Sequence, residues 1–270
     1  MSDPLERIAK ALERLVPVKL EDNDWTAAPA YVWDGTTARE VGRIEAPTLD
    51  QLKGIDRQKA AVAGNLARFA AGNAAHDMLL WGARGMGKSA LVRAAAIAGQ
   101  AHGDLALVQL APNALPSLPS LFRVLSTVPR QFLVYLDDLG FAEGDSVGPR
   151  HLRSWLEGGV EARPANVRLA VTSNRRAIVP RHMSEQDDPV NPRDSLDDLQ
   201  ALADRFGLSI GFHAASQDDY LAMVAAYADP LALSWAPEQA LQWASSRGSR
   251  SGRSAWQFVV ELSGRAGRAL

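Results

Sequence analysis

Eight residues, Gly82-Ala83-Arg84-Gly85-Met86-Gly87-Lys88-Ser89, are spaced to hold the phosphates of a nucleoside triphosphate. Gly82 and Gly87 let the backbone turn tightly and approach an anion. The loop's N–H groups and the positive end of the following helix then face the phosphates. Lys88 is placed to reach the β- and γ-phosphates, and the Ser89 hydroxyl to hold Mg²⁺. A second chemical stretch lies about fifty residues on. The apolar run Phe132–Leu136 ends in Asp137 and Asp138. Asp137 is expected in the Mg²⁺ shell, and Asp138 is expected to orient and polarise an attacking water. A third strand, Val167–Thr172, ends near Asn174, a polar residue able to touch the γ-phosphate or its water.

These groups need a scaffold that brings them to one edge. Met78–Trp81 is an apolar run of strand length, and the segment from Ala90 onward is a strong helix former, so strand, glycine loop and helix follow in order. Asp56, after Gly54 and Ile55, reads as the N-cap of a helix running to about Ala71 and ending at Gly72-Asn73. Leu105–Leu110 and Leu208–Phe212 read as further strands, and Leu118–Ser126 as a short helix. Continuous apolar runs of this kind suit a parallel sheet buried on both faces, with ligands at the carboxyl edge. After Phe212 the alternation stops. Asp218–Ala228, Pro237–Arg247 and Ser254–Gly264 read as three helices, with Ser216 and Ser254 as caps. The expected organisation is an N-terminal arm over residues 1–50, a nucleotide-binding α/β domain over 51–213 and a helical lid over 214–270.

The arm reads as a helix at Pro4–Leu15, striped with Leu5, Ile8, Leu12 and Leu15. Irregular chain follows over residues 17–50. Trp25, Tyr31 and Trp33 imply that this arm is tucked against the body. A further helix is expected at His151–Glu157. Residues 185–204 carry seven carboxylates against Arg193, as in a solvated loop and helix.

Composition narrows the class. The chain has 270 residues, 47% hydrophobic and 22% charged, as in a globular protein of one or two domains. A net charge of −2 provides no overall field toward nucleic acid or anionic lipid. With no cysteine, disulfides, thiolate metal sites and cysteine nucleophiles are excluded, which fits a cytoplasmic location. The start of the sequence shows no apolar signal core. The uncharged stretch from Leu105 to Phe122 is interrupted by Pro112, Pro116 and Pro119, so no membrane span is expected.

The order of motifs resembles an AAA+ ATPase, and more closely the bacterial AAA+ family known as domain of unknown function 815. The likeness is carried by Leu79–Ser89, Asp137–Gly144, Leu156–Val167, Thr172–Arg176, Ser195–Gly207 and Ser251–Phe258. It implies a five-stranded parallel sheet in the order 5-1-4-3-2 with a C-terminal helical lid, and ATP and Mg²⁺ as ligands. Gly82 to Ser89 would be the Walker A loop, with Ala90 beside it, and Asp137 and Asp138 the Walker B pair. Asn174 would be sensor 1. Arg205 would be an arginine finger acting on a neighbouring subunit's ATP, and Arg253 a sensor 2 residue acting on its own. Apolar side chains around Ile55 would receive the base. Two features depart from the superfamily pattern. The acid pair is Asp-Asp instead of Asp-Glu, which points to slow hydrolysis, with Glu143 a weaker stand-in. The stretch Ala111–Ser120 lacks the aromatic pore residue of substrate-threading machines.

The function expected is that of an ATP-hydrolysing, oligomeric switch or remodelling ATPase with an unknown protein client. One alternative is a nucleic-acid-handling ATPase of the helicase-loader or transposition-helper type. It draws on Arg247, Arg250, Arg253, Arg265 and Arg268 with Trp256 and Phe258. Another is a nucleotide-binding regulator with little hydrolysis, motivated by Asp138.

Overall fold

A computed structural model describes residues 23–140, 156, 163–174 and 205–270. The helix expected at residues 4–15, the acidic stretch 185–204 and Glu143 lie outside them, as does all of the helix expected at 151–157 except Leu156. In chain order the strands are β1 (Ala30–Trp33), β2 (Ala38–Val41), β3 (Met78–Gly82), β4 (Leu105–Leu110), β5 (Gln131–Leu136), β6 (Val167–Ser173) and β7 (Leu208–Phe212). The α-helices among the described residues are α1 (Asp56–Ala70), α2 (Lys88–Gln100), α3 (Leu118–Leu125), α4 (Gln217–Ala228), α5 (Pro237–Ser246) and α6 (Gly252–Arg265). No described helix is long and apolar enough to cross a membrane.

The seven strands among the described residues form one sheet in the order β2-β1-β4-β5-β6-β3-β7. Its five central and distal strands, β7-β3-β6-β5-β4, run parallel in the expected 5-1-4-3-2 order. The count of five is corrected by two strands from the arm. β1 lies parallel to β4 and pairs Ala30 with Leu107, while β2 folds back antiparallel on β1. Residues 30–41 therefore extend the sheet instead of forming irregular chain. The turn between these strands is organised by Asp34, whose carboxylate accepts the N–H groups of Thr36 and Thr37, each over 2.8 Å.

Alternation along the strands supplies two apolar faces. Leu105 and Leu107 of β4 and Leu133 of β5 join the cluster beneath α1 and α2, which continues into the lid at Tyr220, Met223 and Phe258. Ala106, Val108, Val134 and Leu136 face the opposite cluster, with α3 and the arm aromatics. The arm is fastened there. Trp25 packs edge-on against Phe132 at 5.9 Å. The Arg130 guanidinium donates to the Trp25 and Ala28 carbonyls, both over 2.8 Å.

Two helix starts differ from expectation. Asp56 is the first residue of α1, paired with Lys59 over 2.7 Å, and Ile55 holds the cap position without a side-chain bond. Gly54, at φ 73°, reverses the chain there, which seats the Ile55 side chain inward. In the lid, Ser251 caps α6 and Ser254 closes the capping box from the third helical position, so the helix begins nearly a turn before Ser254. Ser216 caps α4 as expected.

Candidate phosphate-binding site

Strand register sets the site. β5 and β6 pair Leu136 with Val171, so Asp137 emerges beside Thr172. β3 and β6 pair Trp81 with Ser173, which brings the start of the loop beside Asn174. The loop leaves β3 through Gly82 at φ 119°, turns at Gly85 at φ 77°, and enters α2 through Gly87 at φ 85°. Gly82 is irreplaceable on space as well as conformation, because a Cβ there would run into the Phe212 carbonyl. The N–H groups of the first turn of α2 lie at the end of this loop.

Lys88 is 6% exposed and its ammonium is held by three oxygens. It donates to the Gly82 and Ala83 carbonyls over 2.9 Å each and to Asn174 Oδ1 over 3.1 Å. The other end of the same amide donates from Nδ2 to Asp138 Oδ1. Burial lowers the Lys88 pKa, and the Asp138 and Asp137 carboxylates oppose that without cancelling it.

Beside this chain is a second one. Asp137 Oδ1 accepts the hydroxyls of Ser89 and Thr172, each over 2.7 Å. Burial pushes its carboxyl up, but the hydroxyls of Ser89, Tyr135 and Thr172 outweigh it, so the group lies below the usual carboxylate range. Thr172 also accepts the Asp138 N–H over 2.8 Å. Asp138 itself sits at φ 52°. Asp tolerates that left-handed conformation better than most residue types, so this backbone favours Asp over a longer acid.

The lid closes the other wall. The Arg253 N–H donates to the Gly85 carbonyl over 3.3 Å, and a Cβ on Gly85 would meet the Ser251 hydroxyl at 2.9 Å. Between body and lid is a cavity of about 700 Å³. Arg84 through Ala90, Asp137, Asp138, Thr172 and Asn174 line it from the sheet, Leu52 and Ile55 from the start of α1, and Met223, Tyr227, Arg253 and Trp256 from the lid. The fold thus brings together the glycine-rich loop, both acids, Asn174, Arg253 and Ile55. Gly82 and Ala83 contribute through their carbonyls. Arg205 is not brought in: it precedes the first residue of β7, at the sheet edge opposite the loop.

The lid arginines are largely engaged at home. Arg247 stacks on Trp243 at 4.6 Å, Arg265 pairs with Glu261 over 2.9 Å, and Arg268 donates to the Leu231 carbonyl over 2.7 Å. Phe258 is core, against Trp243, whereas Trp256 is 44% exposed. Ala111–Ser120 presents no aromatic side chain. Sequence reasoning overlooked Thr172 as the link between the two acids and Tyr135 beneath them. The hydroxyl at the end of an apolar strand, two residues before Asn174, was the available signal for Thr172.

Several solved structures share this architecture. The Thermotoga maritima RuvB Holliday junction branch migration motor is 16% identical, with a TM-score of 0.53 over 78% of this chain and 62% of that one. A point mutant of the same motor gives 0.55 over 80% and 64%, also at 16% identity. The Aeropyrum pernix ORC1 protein, solved in complex with DNA, gives 0.55 over 80% and 62% at 16% identity. The chain spans less than two thirds of each, and the likeness is one of fold. No functionally curated protein matches it. The family model for proteins of unknown function, DUF815, matches residues 26–266. With most of its 270 residues within that match, this chain belongs to the DUF815 family.

Proposed function

We propose that the protein binds ATP with Mg²⁺ in the cavity between sheet and lid and hydrolyses it, acting as an oligomeric switch or remodelling ATPase on a protein client. One observation carries this reading: the Lys88–Asn174–Asp138 chain runs alongside the Ser89–Asp137 pair at the mouth of one cavity. The hydroxyl and carboxylate oxygens of that pair, 2.7 Å apart and with the acid held ionised, suit a hard cation that takes its other ligands from phosphate and water. Ser89 and Asp137 would hold Mg²⁺, which when bound neutralises charge on the β- and γ-phosphate oxygens. Lys88 adds a nearly desolvated positive charge to the same oxygens. Asp138 accepts a proton from the attacking water, and Asn174 keeps that carboxylate aimed. Arg253 approaches from its own lid. Arg205, remote from its own cavity, would act on a neighbour's nucleotide.

Calorimetry with ATP and MgCl₂, phosphate release and mass measurement with and without ATP test this reading. Expected are uptake of one ATP per chain, steady release of phosphate, and a larger assembly with ATP. Asp138→Asn should retain binding and lose turnover. Absence of ATP uptake overturns the proposal, and uptake without multiple turnover leaves a nucleotide-binding regulator in its place.

The nucleic-acid-handling reading is favoured only by the exposed Trp256 on the helix that carries Arg253. Binding of single-stranded DNA with a steep salt dependence would support it.

A further inference from the structure

Arg84 stands in the middle of the glycine-rich loop with its backbone fixed on both sides. Before it, the Ala83 N–H donates to the Phe212 carbonyl over 2.8 Å, and the Ala83 carbonyl accepts Lys88 over 2.9 Å. After it, the Gly85 carbonyl accepts the Arg253 N–H over 3.3 Å. The side chain is not tied in this way. Arg84 is exposed and lines the cavity, and its guanidinium has no hydrogen-bond, ion-pair or ring partner among the described residues. The loop's other large side chains, Met86 and Lys88, are buried.

Arg253 is in the same condition. A Cβ on Gly85 would lie 3.4 Å from the Arg253 Cβ, so the lid arginine springs from beside the residue that follows Arg84. Its guanidinium too has no partner among the described residues, and it lines the same cavity. The cavity's three acids are engaged elsewhere: Asp137 with Ser89 and Thr172, Asp138 with Asn174, and Glu45 with Arg43. Two guanidinium groups set together without a carboxylate repel each other unless an anion lies between them. The loop's N–H groups serve the α- and β-phosphates, which leaves the terminal phosphate to an exposed side chain of the same loop. We propose that Arg84 is a catalytic residue: its planar fork grips the γ-phosphate of ATP bound in its own chain, facing Arg253 across it. This rests on the ATP-hydrolysis reading above and adds a side chain to the machinery named there. As the water oxygen bonds to the γ-phosphorus, the bond to the β,γ-bridging oxygen breaks, its electron pair leaves with ADP, and the water proton passes to Asp138. The γ-oxygens carry charge throughout, and two parallel N–H···O bonds from Arg84 neutralise part of it.

Arg84→Ala in the full chain tests the idea, with calorimetry against ADP and against the β,γ-imido analogue of ATP, each with MgCl₂. Affinity for the analogue should fall about tenfold, the worth of a hydrogen bond to a charged group, while affinity for ADP stays within twofold. Phosphate release from ATP should fall about 10²-fold. Without nucleotide the variant should melt at or slightly above the wild-type temperature, because a repelling charge with no partner to lose has been removed. Equal losses for both nucleotides overturn the inference, since a γ-phosphate contact is blind to ADP. So does a loss that vanishes in about 1 M KCl, where the screening length is about 3 Å and only a long-range field would be erased. Unchanged affinities with a smaller assembly in ATP would make Arg84 an interface residue, and a lowered melting temperature would make it a structural one; either overturns the inference. A wild-type chain that takes up neither nucleotide overturns the ATP reading itself. A wild type that prefers the analogue, beside a variant with the same preference, overturns only the role of Arg84.

Discussion

Asn174 and Asp138 are joined by a single hydrogen bond, the amide donating to the carboxylate, while the amide oxygen is held by Lys88 over 3.1 Å. The bond fixes the direction of an acid whose backbone already sits at φ 52°. Removing one preorganised polar contact of this kind lowers turnover by about 10²–10³ in well-studied cases. Asn174→Ala should therefore cut phosphate release about 10²-fold while leaving ATP affinity within a few-fold. Calorimetry and phosphate release on the same preparation separate the two. Equal losses in both would move Asn174 from the reaction to binding.

Lys88 should show the opposite division. Its ammonium is buried and held at the loop by the Gly82 and Ala83 carbonyls. Lys88→Ala should weaken ATP binding by about 10²-fold or more, since truncating one member of a buried charge pair commonly costs about 2–5 kcal/mol. Folding should persist, because the residue's partners are backbone carbonyls and an amide that water can reach through the cavity mouth. Calorimetry reads the affinity and circular dichroism the fold. Retained affinity would remove Lys88 from the phosphate site.

Much of this arrangement is legible in the order of residues. β4 and β7 occupy the very spans expected from their apolar runs, Leu105–Leu110 and Leu208–Phe212. β4 is buried on both faces, so composition alone marks it, whereas β7, at the end of the sheet, fully buries only Ile210 and Phe212. β1 and β2 are four residues each; β1 is placed by its pairing with β4 and β2 by its pairing with β1, contacts that local periodicity does not encode. The signal that existed was Asp34-Gly35, a turn pair between Trp33 and Ala38. Capping failed by a few residues at Ser254 because a second serine, Ser251, stood three positions earlier and supplied the better box. The contact of Gly85 with Ser251 and the left-handed Asp138 are products of tertiary packing, so no local pattern announces them.

Two glycines should respond oppositely to alanine. At Gly82 the positive φ and the Phe212 carbonyl both oppose a Cβ. Gly82→Ala should lose roughly 2–4 kcal/mol, a left-handed cost plus a backbone clash at the β3–β7 pairing. Gly64, inside α1, would place its Cβ no nearer than 3.9 Å to the Arg68 guanidinium. Gly64→Ala should gain about 0.5–1 kcal/mol from helix propensity. Urea titrations give both values, and a neutral Gly82→Ala would contradict the strand register at the loop.

The site's two charges should bend stability with pH in distinct windows. Asp137 lies below its ordinary value of 3.8, because the hydroxyls of Ser89, Tyr135 and Thr172 outweigh its burial. A depressed carboxylate contributes stability that is whole above the unfolded value and is lost as pH falls through the folded one. Urea midpoints of the nucleotide-free protein should therefore drop more steeply below about pH 4 in the wild type than in Asp137→Asn. Lys88 lies below its ordinary value of 10.5, chiefly through burial. The folded chain sheds that proton first, so stability should rise with pH through the window just below 10.5, and Lys88→Met should flatten that rise. A wild-type profile that matches both variants would mean that neither group is held as described.

Arg205 tests whether the site is completed between chains. It stands ahead of β7, at the sheet edge opposite the loop, and does not line its own cavity. If it serves a neighbour's nucleotide, Arg205→Ala should lose about 10³–10⁵ in turnover, the range measured for arginine fingers, and keep ATP affinity. Lys88→Ala keeps the finger and loses the phosphate site. Neither variant should hydrolyse ATP alone. Mixed, they should recover a measurable fraction of wild-type turnover, because some interfaces then pair an intact loop with an intact Arg205. That recovery requires assembly and should vanish on dilution. Two inactive variants that stay inactive when mixed under conditions where mass measurement shows mixed oligomers would exclude a role between subunits. Undiminished turnover in Arg205→Ala alone would exclude any role in hydrolysis.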